Sequence, residues 1–290
     1  MWNLKDYRYA NSAAEAVALM RRGPGRGLYI AGGTDLFQAQ PADCDFVVDI
    51  NGAGLGGVAR TPDGGLFLGA TASLERIARS NFVHDFAGGT IAVVAQRCGN
   101  RPVRTVGTIG GNLCHGLPSA DMAPILLALD AKAHFTDGKE KQSISLSEFF
   151  LGPRQTVLGD RLLLGIEIPP HTRDWHTAAK KLSRTAEDIS LVHVAVAMEL
   201  TGQTIQTARI VLGAVAPTPV RAIPAEEFLS QLDITLPEAT TRFEAAAKLA
   251  AADAQPVSDH RASAEYRCAM VEIMTRRLLK NLAASWSAPP

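Results

Sequence analysis

The sequence predicts an α+β protein, and three observations carry that prediction. Helical and strand-like patterns alternate without a regular βαβ rhythm, and the late strand patterns follow one another with only a short turn between them. The fingerprint of a dinucleotide-binding doubly wound sheet, G-x-G-x-x-G in a strand-to-helix turn, is missing. "GAGLGG" at 52–57 comes closest, but it lacks a following helix and an acid about 20 residues on.

The elements justify this reading in order. "NSAAEAVALMRRG" opens with Ser12, has Glu15 three residues later and Gly23 past its end, which reads as a capped helix. "GLYIAGG" and "DFVVDI" are short buried strands on either side of a glycine turn, "LFLGAT" is another strand, and "SLERIARS" and "TIAVVAQRC" are helices. A long glycine- and proline-punctuated loop is expected over 99–119. "ADMAPILLALDA" resumes helix with Asp121 in its first turn, where an acid suits the helix dipole. "KAHFTDGKEKQSIS" reads as a hairpin around Asp137-Gly138, and "DRLLLGIEIPP" as a strand stopped by two prolines.

The domain boundary is placed there, giving 1–175, with subdomains of about 1–57 and 58–175, and then 176–290. In the second part "LVHVAVAMEL" alternates with period two, the pattern of a half-buried strand, and "TARIVLGAVAPTPVRA" supplies a partner. Helical runs follow from about 222, 236 and 262. The last carries Tyr266, Ala269, Met270, Ile273, Met274, Leu278 and Leu282 at helical spacing, a face for packing on a sheet.

A chain of 290 residues with 47% hydrophobic and 20% charged residues has the composition of a globular protein. Its length suggests about two domains. Lys+Arg and Asp+Glu both number 29, so no excess charge marks a nucleic-acid or anionic-membrane partner. No stretch reaches the ~20 apolar residues of a membrane span. "MWNLKDYRYA" lacks the pattern of a secretion signal, so the cytoplasm is the expected compartment. The cysteines, Cys44, Cys98, Cys114 and Cys268, show no C-x-x-C spacing, and neither a disulfide framework nor a metal site is expected of them. No nucleophile–base pair or catalytic constellation stands out.

The polar chemistry gathers in two glycine pairs. "YIAGGTDLF" (29–37) follows an apolar run with Gly32, Gly33, Thr34 and Asp35; "TVGTIGGNLCHG" (105–116) repeats the device with Thr108, Gly110, Gly111 and Asn112. Glycine pairs permit positive φ and close approach of another group, and successive N–H groups in such a turn make an anion-binding nest. Each pair taken alone is more often a plain turn; the pairing, each beside an apolar run, brings the functional reading level with it. Two nests brought together would cradle a pyrophosphate.

With "RTVGTIGGNLCHGLPSADMAPILLALDA", "FFLGPRQTVL", "LLLGIEIP", "KKLSRTAEDIS", "RIVLGAVAPTPVRA" and "PVSDHRASAEYR" in order, nearly the whole chain resembles the FAD-binding medium subunits of the molybdenum hydroxylases. That family includes xanthine dehydrogenases, carbon monoxide dehydrogenases and N-heteroaromatic hydroxylases. The resemblance implies a vanillyl-alcohol-oxidase (VAO/PCMH) type FAD-binding fold of two α+β subdomains. A CO dehydrogenase flavoprotein-type C-terminal domain of antiparallel sheet plus helices would follow. It implies that Ala31, Gly32, Gly33, Thr34 and Asp35 wrap the FAD diphosphate from one side, and Thr108, Ile109, Gly110, Gly111 and Asn112 from the other. Asp121 is expected at the ribose or adenylate end, with its place at a helix N-terminus an equally good account. Leu164 is expected near the flavin ring and Lys180 at its polar edge. The loop 183–190, with Asp188 and Ile189, is expected to flank the ring and govern the electron acceptor; some relatives carry an aromatic residue there.

By the same resemblance the chain is an electron-transfer subunit without catalytic residues of its own. Partners would be a small subunit with two [2Fe-2S] clusters and a large subunit with the molybdenum-pterin cofactor, as a dimer of heterotrimers. The alternatives are a self-sufficient flavin reductase of the same fold and a non-catalytic FAD-binding scaffold.

Overall fold

The computed structural model describes residues 2 and 4–287. The chain begins with β1 (Asp6–Tyr9), α1 (Ala13–Arg21), β2 (Gly27–Ile30), α2 (Leu36–Ala39) and β3 (Phe46–Asp49). These strands form a small parallel sheet ordered β1-β3-β2. Ser12 caps α1 by accepting from Glu15 N at 3.1 Å. The Glu15 carboxylate accepts in turn from Asn11 N at 2.8 Å. The capping box thus closes one residue earlier than its usual form. β1 has no counterpart in the sequence reading: it is an edge strand whose Tyr7 and Tyr9 stay exposed, so no apolar run announces it.

A second, antiparallel sheet follows, ordered β4-β5-β10-β6-β7. Its first strands are β4 (Val58–Arg60) and β5 (Leu66–Gly69). Between these and the rest lie α3 (Leu74–Arg79), α4 (Asn81–His84), α5 (Thr90–Gln96), α6 (Arg101–Val106), α7 (Ile109–Cys114) and α8 (Met122–Ala128). The hairpin expected around Asp137-Gly138 is β6 (Lys132–Thr136) with β7 (Lys141–Ser145), and a small ribbon pairs β8 (Phe150–Gly152) with β9 (Gln155–Thr156). The central strand is β10 (Leu162–Ile168). Burying each of its leucines and isoleucines is worth roughly 1.5–3 kcal/mol.

The 99–119 segment corrects the sequence reading: it folds into α6 and α7 where a loop was expected. Asn100 caps α6, accepting from Val103 N at 3.0 Å, with Pro102 in the first turn where its missing N–H costs nothing. Thr108 caps α7, accepting from Gly111 N at 3.1 Å. Two good caps outweigh the poor helix propensity of the glycines.

The C-terminal part is one antiparallel sheet, β11 (His176–Leu182), β12 (Val192–Thr201), β13 (Thr204–Gly213) and β14 (Val220–Arg221), in that order. It is backed by α9 (Ile223–Leu229), α10 (Ala239–Ala252) and α11 (Ala264–Ser287). Here the expectation of a half-buried strand fails. Val192, Val194, Val196 and Met198 pack under the C-terminal helices, while His193, Ala195 and Ala197 are buried against the first part. Small residues on that second face allow α8 to lie directly on β12 and β13. A Cβ on Gly213 would come 2.7 Å from Pro124 Cγ.

Candidate cofactor site

The two glycine segments meet in space. A Cβ on Gly32 would lie 2.1 Å from the Val106 carbonyl oxygen and 2.9 Å from Gly107 Cα, so only glycine lets the first loop rest on the α6–α7 junction. Gly33 has φ +66°, a left-handed conformation that turns the chain. The backbone N–H groups of Gly32, Gly33, Thr34 and Asp35 donate to no acceptor among the described residues. The Ala31 carbonyl is held by Asn51 Nδ2 at 3.1 Å. Four successive free donors on a pinned turn fit an anion such as a diphosphate.

The second segment offers a different surface. The N–H groups of Ile109, Gly110, Gly111 and Asn112 are taken by Ala72 O, Ala70 O, Thr108 Oγ1 and Thr108 O. Gly110 and Gly111 lie inside α7 without positive φ, contrary to the expectation of a second nest. Gly110 lies against the Ala70 backbone, where a Cβ would approach the carbonyl oxygen to 2.5 Å. At Gly111 an added Cβ would meet only Thr108 Oγ1, at 3.1 Å, with open space beyond. The first loop meets this segment at its two ends, at Gly107 beside Thr34 and at His115 beside Asp35, and Gly111 between them leaves a stretch of helix surface without a side chain. Leu164 joins this segment indirectly: it lies at a bulge of β10, and its carbonyl accepts from Ala70 N at 3.0 Å. Asn112 Oδ1 accepts from Met122 N at 3.3 Å and so fixes the entry to α8.

The Asp35 carboxylate does not cap α2. It lies 3.3 Å from His115 Nδ1, and its pKa is lowered chiefly by that hydrogen bond, against the opposing effect of burial. Arg154, from the β8–β9 turn, contacts the other ring nitrogen of His115. Asp121 stands at the N-cap of α8, as expected, but its side chain makes no capping hydrogen bond. Its carboxylate receives Lys181 Nζ at 2.9 Å and Ser190 Oγ at 2.6 Å, joining the start of α8 to β11 and to the start of β12. Lys181 donates as well to Arg97 O at 2.9 Å.

Strand alternation separates the two lysines. Lys181 shares a face with Ala179, toward the first part, whereas Lys180 is exposed on the face of Ala178 and Leu182. His193, opposite Lys181 in the ladder, is buried with Nδ1 unpartnered among the described residues, 3.9 Å from Asp121 Oδ1. Burial pushes its pKa down to about 4. Asp188 pairs with Arg184 at 3.2 Å, and Ile189 is 57% exposed. The sequence reading missed His115, Arg154, Lys181, Ser190 and His193. The period-two pattern of "HTAAKKL" already places its two lysines on opposite faces.

A turn of free N–H donors resting on the α6–α7 junction, with side-chain-free Gly111 in the helix that follows, fits the class of domains that hold a dinucleotide. Comparison with known proteins gives the family. The description "FAD binding domain in molybdopterin dehydrogenase" matches residues 3–171, and "CO dehydrogenase flavoprotein C-terminal domain" matches 177–282. The carbon monoxide dehydrogenase medium chain of Hydrogenophaga pseudoflava is 30% identical, over 97% of each chain. The xanthine dehydrogenase FAD-binding subunit of Escherichia coli O157:H7 is 29% identical, over 98% of each. Among solved structures, carbon monoxide dehydrogenase from H. pseudoflava superposes with a TM-score of 0.92 at 29% identity, covering 99% of this chain and 100% of that one. Quinoline 2-oxidoreductase from Pseudomonas putida 86 gives 0.89 at 25% identity, covering 98% and 99%. The chain belongs to the FAD-binding medium subunits of the molybdenum hydroxylase family, and FAD is its cofactor.

Proposed function

We propose that this chain is the electron-transfer subunit of a molybdenum hydroxylase. It takes electrons from two [2Fe-2S] clusters in a small partner subunit, delivered there from a molybdenum-pterin site in a large one. It passes them to an external acceptor. The observation that supports the placement of the cofactor is the run of four free N–H groups from Gly32 to Asp35, on a turn that rests on the α6–α7 junction. FAD, when bound, supplies the one- and two-electron chemistry, and the protein supplies binding and orientation. In this reading Gly32–Asp35 bind the diphosphate and Gly110–Gly111 shape its seat. Leu164 and the Asp188–Ile189 loop border the ring. Lys180, exposed on one face of β11, is proposed at the ring's polar edge, while Lys181 and Ser190, on the Asp121 side, hold the loop in place. A dimer of heterotrimers is the proposed assembly and the cytoplasm its compartment.

The test uses the chain loaded with FAD, under anaerobic conditions. Offered the organic substrate of its complex, it should stay oxidised; adding both partner subunits should bleach the visible flavin band. Bleaching by substrate with this chain alone would refute the relay and favour a self-sufficient reductase.

A further inference from the structure

Gly32 anchors one end of the nest on the Val106 backbone. The other end has little packing to rely on. α2 buries none of its residues, and Phe37 is 56% exposed, touching Trp2 edge-on. Leu36 packs on the small Ile30–Cys44–Val47 cluster, and the polar link from this end to α7 is the contact of Asp35 with His115, the residue that ends that helix. Arg154 completes a chain of three side chains drawn from three segments far apart in sequence.

Hydrogen-bond chemistry sets the polarity of this chain. A guanidinium has only donors, so His115 Nε2 accepts from Arg154. The ring proton then sits on Nδ1 and points to the Asp35 carboxylate. A neutral imidazole thus links a cation to an anion. A carboxylate beside a bound diphosphate would repel it, and the Arg154 charge relayed through His115 offsets that repulsion.

The backbone at Arg154 supplies an independent observation. Its φ is +60°, directly after Pro153 in the tight β8–β9 turn, where glycine or asparagine is the usual residue. Its N–H donates to Gly116 O at 2.8 Å, which fixes the turn against the end of α7. A non-glycine residue held in this conformation points to a use for its side chain.

We propose that Arg154, His115 and Asp35 form a pin that locks the diphosphate nest to α7, making His115 and Arg154 positioning residues for FAD. The proposal rests on placing FAD between the two glycine segments.

Arg154→Gly is the decisive variant, because it relieves the backbone while deleting the pin. The apo chain should melt at the same temperature or higher. Its FAD dissociation constant, read by flavin fluorescence, should rise about tenfold, the worth of one charge-assisted hydrogen bond. Arg154→Lys should recover part of the affinity. The double variant His115→Ala/Arg154→Gly should bind no worse than the weaker single variant, because one linkage is lost in each. Unchanged affinity in Arg154→Gly, with FAD lost in Gly111→Val, would overturn the pin and leave the cofactor placement standing. Unchanged affinity in both would overturn the placement and the pin together.

Discussion

Lys181 Nζ lies 2.9 Å from Asp121 Oδ2 across the seam between the FAD-binding part and the C-terminal sheet, with side chains only 7% and 12% exposed. Both charges are therefore largely desolvated. Removing one strands the other, at a cost of about 3–5 kcal/mol for a buried pair. Lys181→Met should lower the stability of the chain by that order in urea denaturation, and Lys181→Met/Asp121→Asn should recover much of the loss. A single-variant loss well below 1 kcal/mol would mean that the seam is as wet as an exposed surface.

His193 sits behind this pair and makes the seam sensitive to pH. Its pKa is about 4 in the fold, against the 6.5 of an unperturbed histidine. Between those values the unfolded chain holds the extra proton, so stability rises with pH across the window and is lost as pH falls from about 6.5 toward 4. The full shift corresponds to roughly 3 kcal/mol. In His193→Leu the drop in melting temperature between pH 7 and pH 5 should shrink. An unchanged drop would show that other groups govern acid sensitivity there.

The glycine pairs were legible in the sequence because apolar runs ending in Gly-Gly and a polar residue are a local pattern. The point where the two segments touch was not, since the fit of Gly32 over Val106 and Gly107 is made by the topology. The helices α6 and α7 were hidden by Pro102, Gly107, Gly110 and Gly111, which read as breakers. Local capping by Asn100 and Thr108 decided otherwise. The C-terminal sheet was legible from its alternation, but not the burial of its second face, because Ala195 and Ala197 carry little hydrophobic signal of their own. For the same reason Lys180 and Lys181 were separable into two faces, while which face meets Asp121 depended on how the sheet docks.

The two glycine positions should respond differently to substitution. Gly111→Val presses only on the Thr108 hydroxyl, which must give by a few tenths of an ångström, so the apo chain should keep its fold and lose FAD. Gly32→Ala forces a methyl group against the Val106 carbonyl, and overpacking of this kind costs about 1–3 kcal/mol. It should lower the melting temperature of the apo chain as well as its flavin content. Full flavin content in purified Gly111→Val would remove this helix surface from the cofactor site.

The loop 183–190 offers the most specific functional test. Its C-terminal base is fixed twice: Ser190 Oγ donates to Asp121, and buried Arg267 donates to the Leu191 carbonyl at 2.8 Å. Ile189 itself is exposed, so a larger side chain there should leave the fold and FAD content unchanged. If the loop borders the flavin on the side open to the acceptor, Ile189→Tyr should place a ring where the acceptor approaches. Reoxidation by the acceptor should then slow several-fold, while reduction through the partner subunits keeps its rate. Stopped-flow traces of the two half-reactions in the assembled complex separate these steps. Equal slowing of both, with flavin retained, would assign the loop a general structural role and take it out of acceptor control.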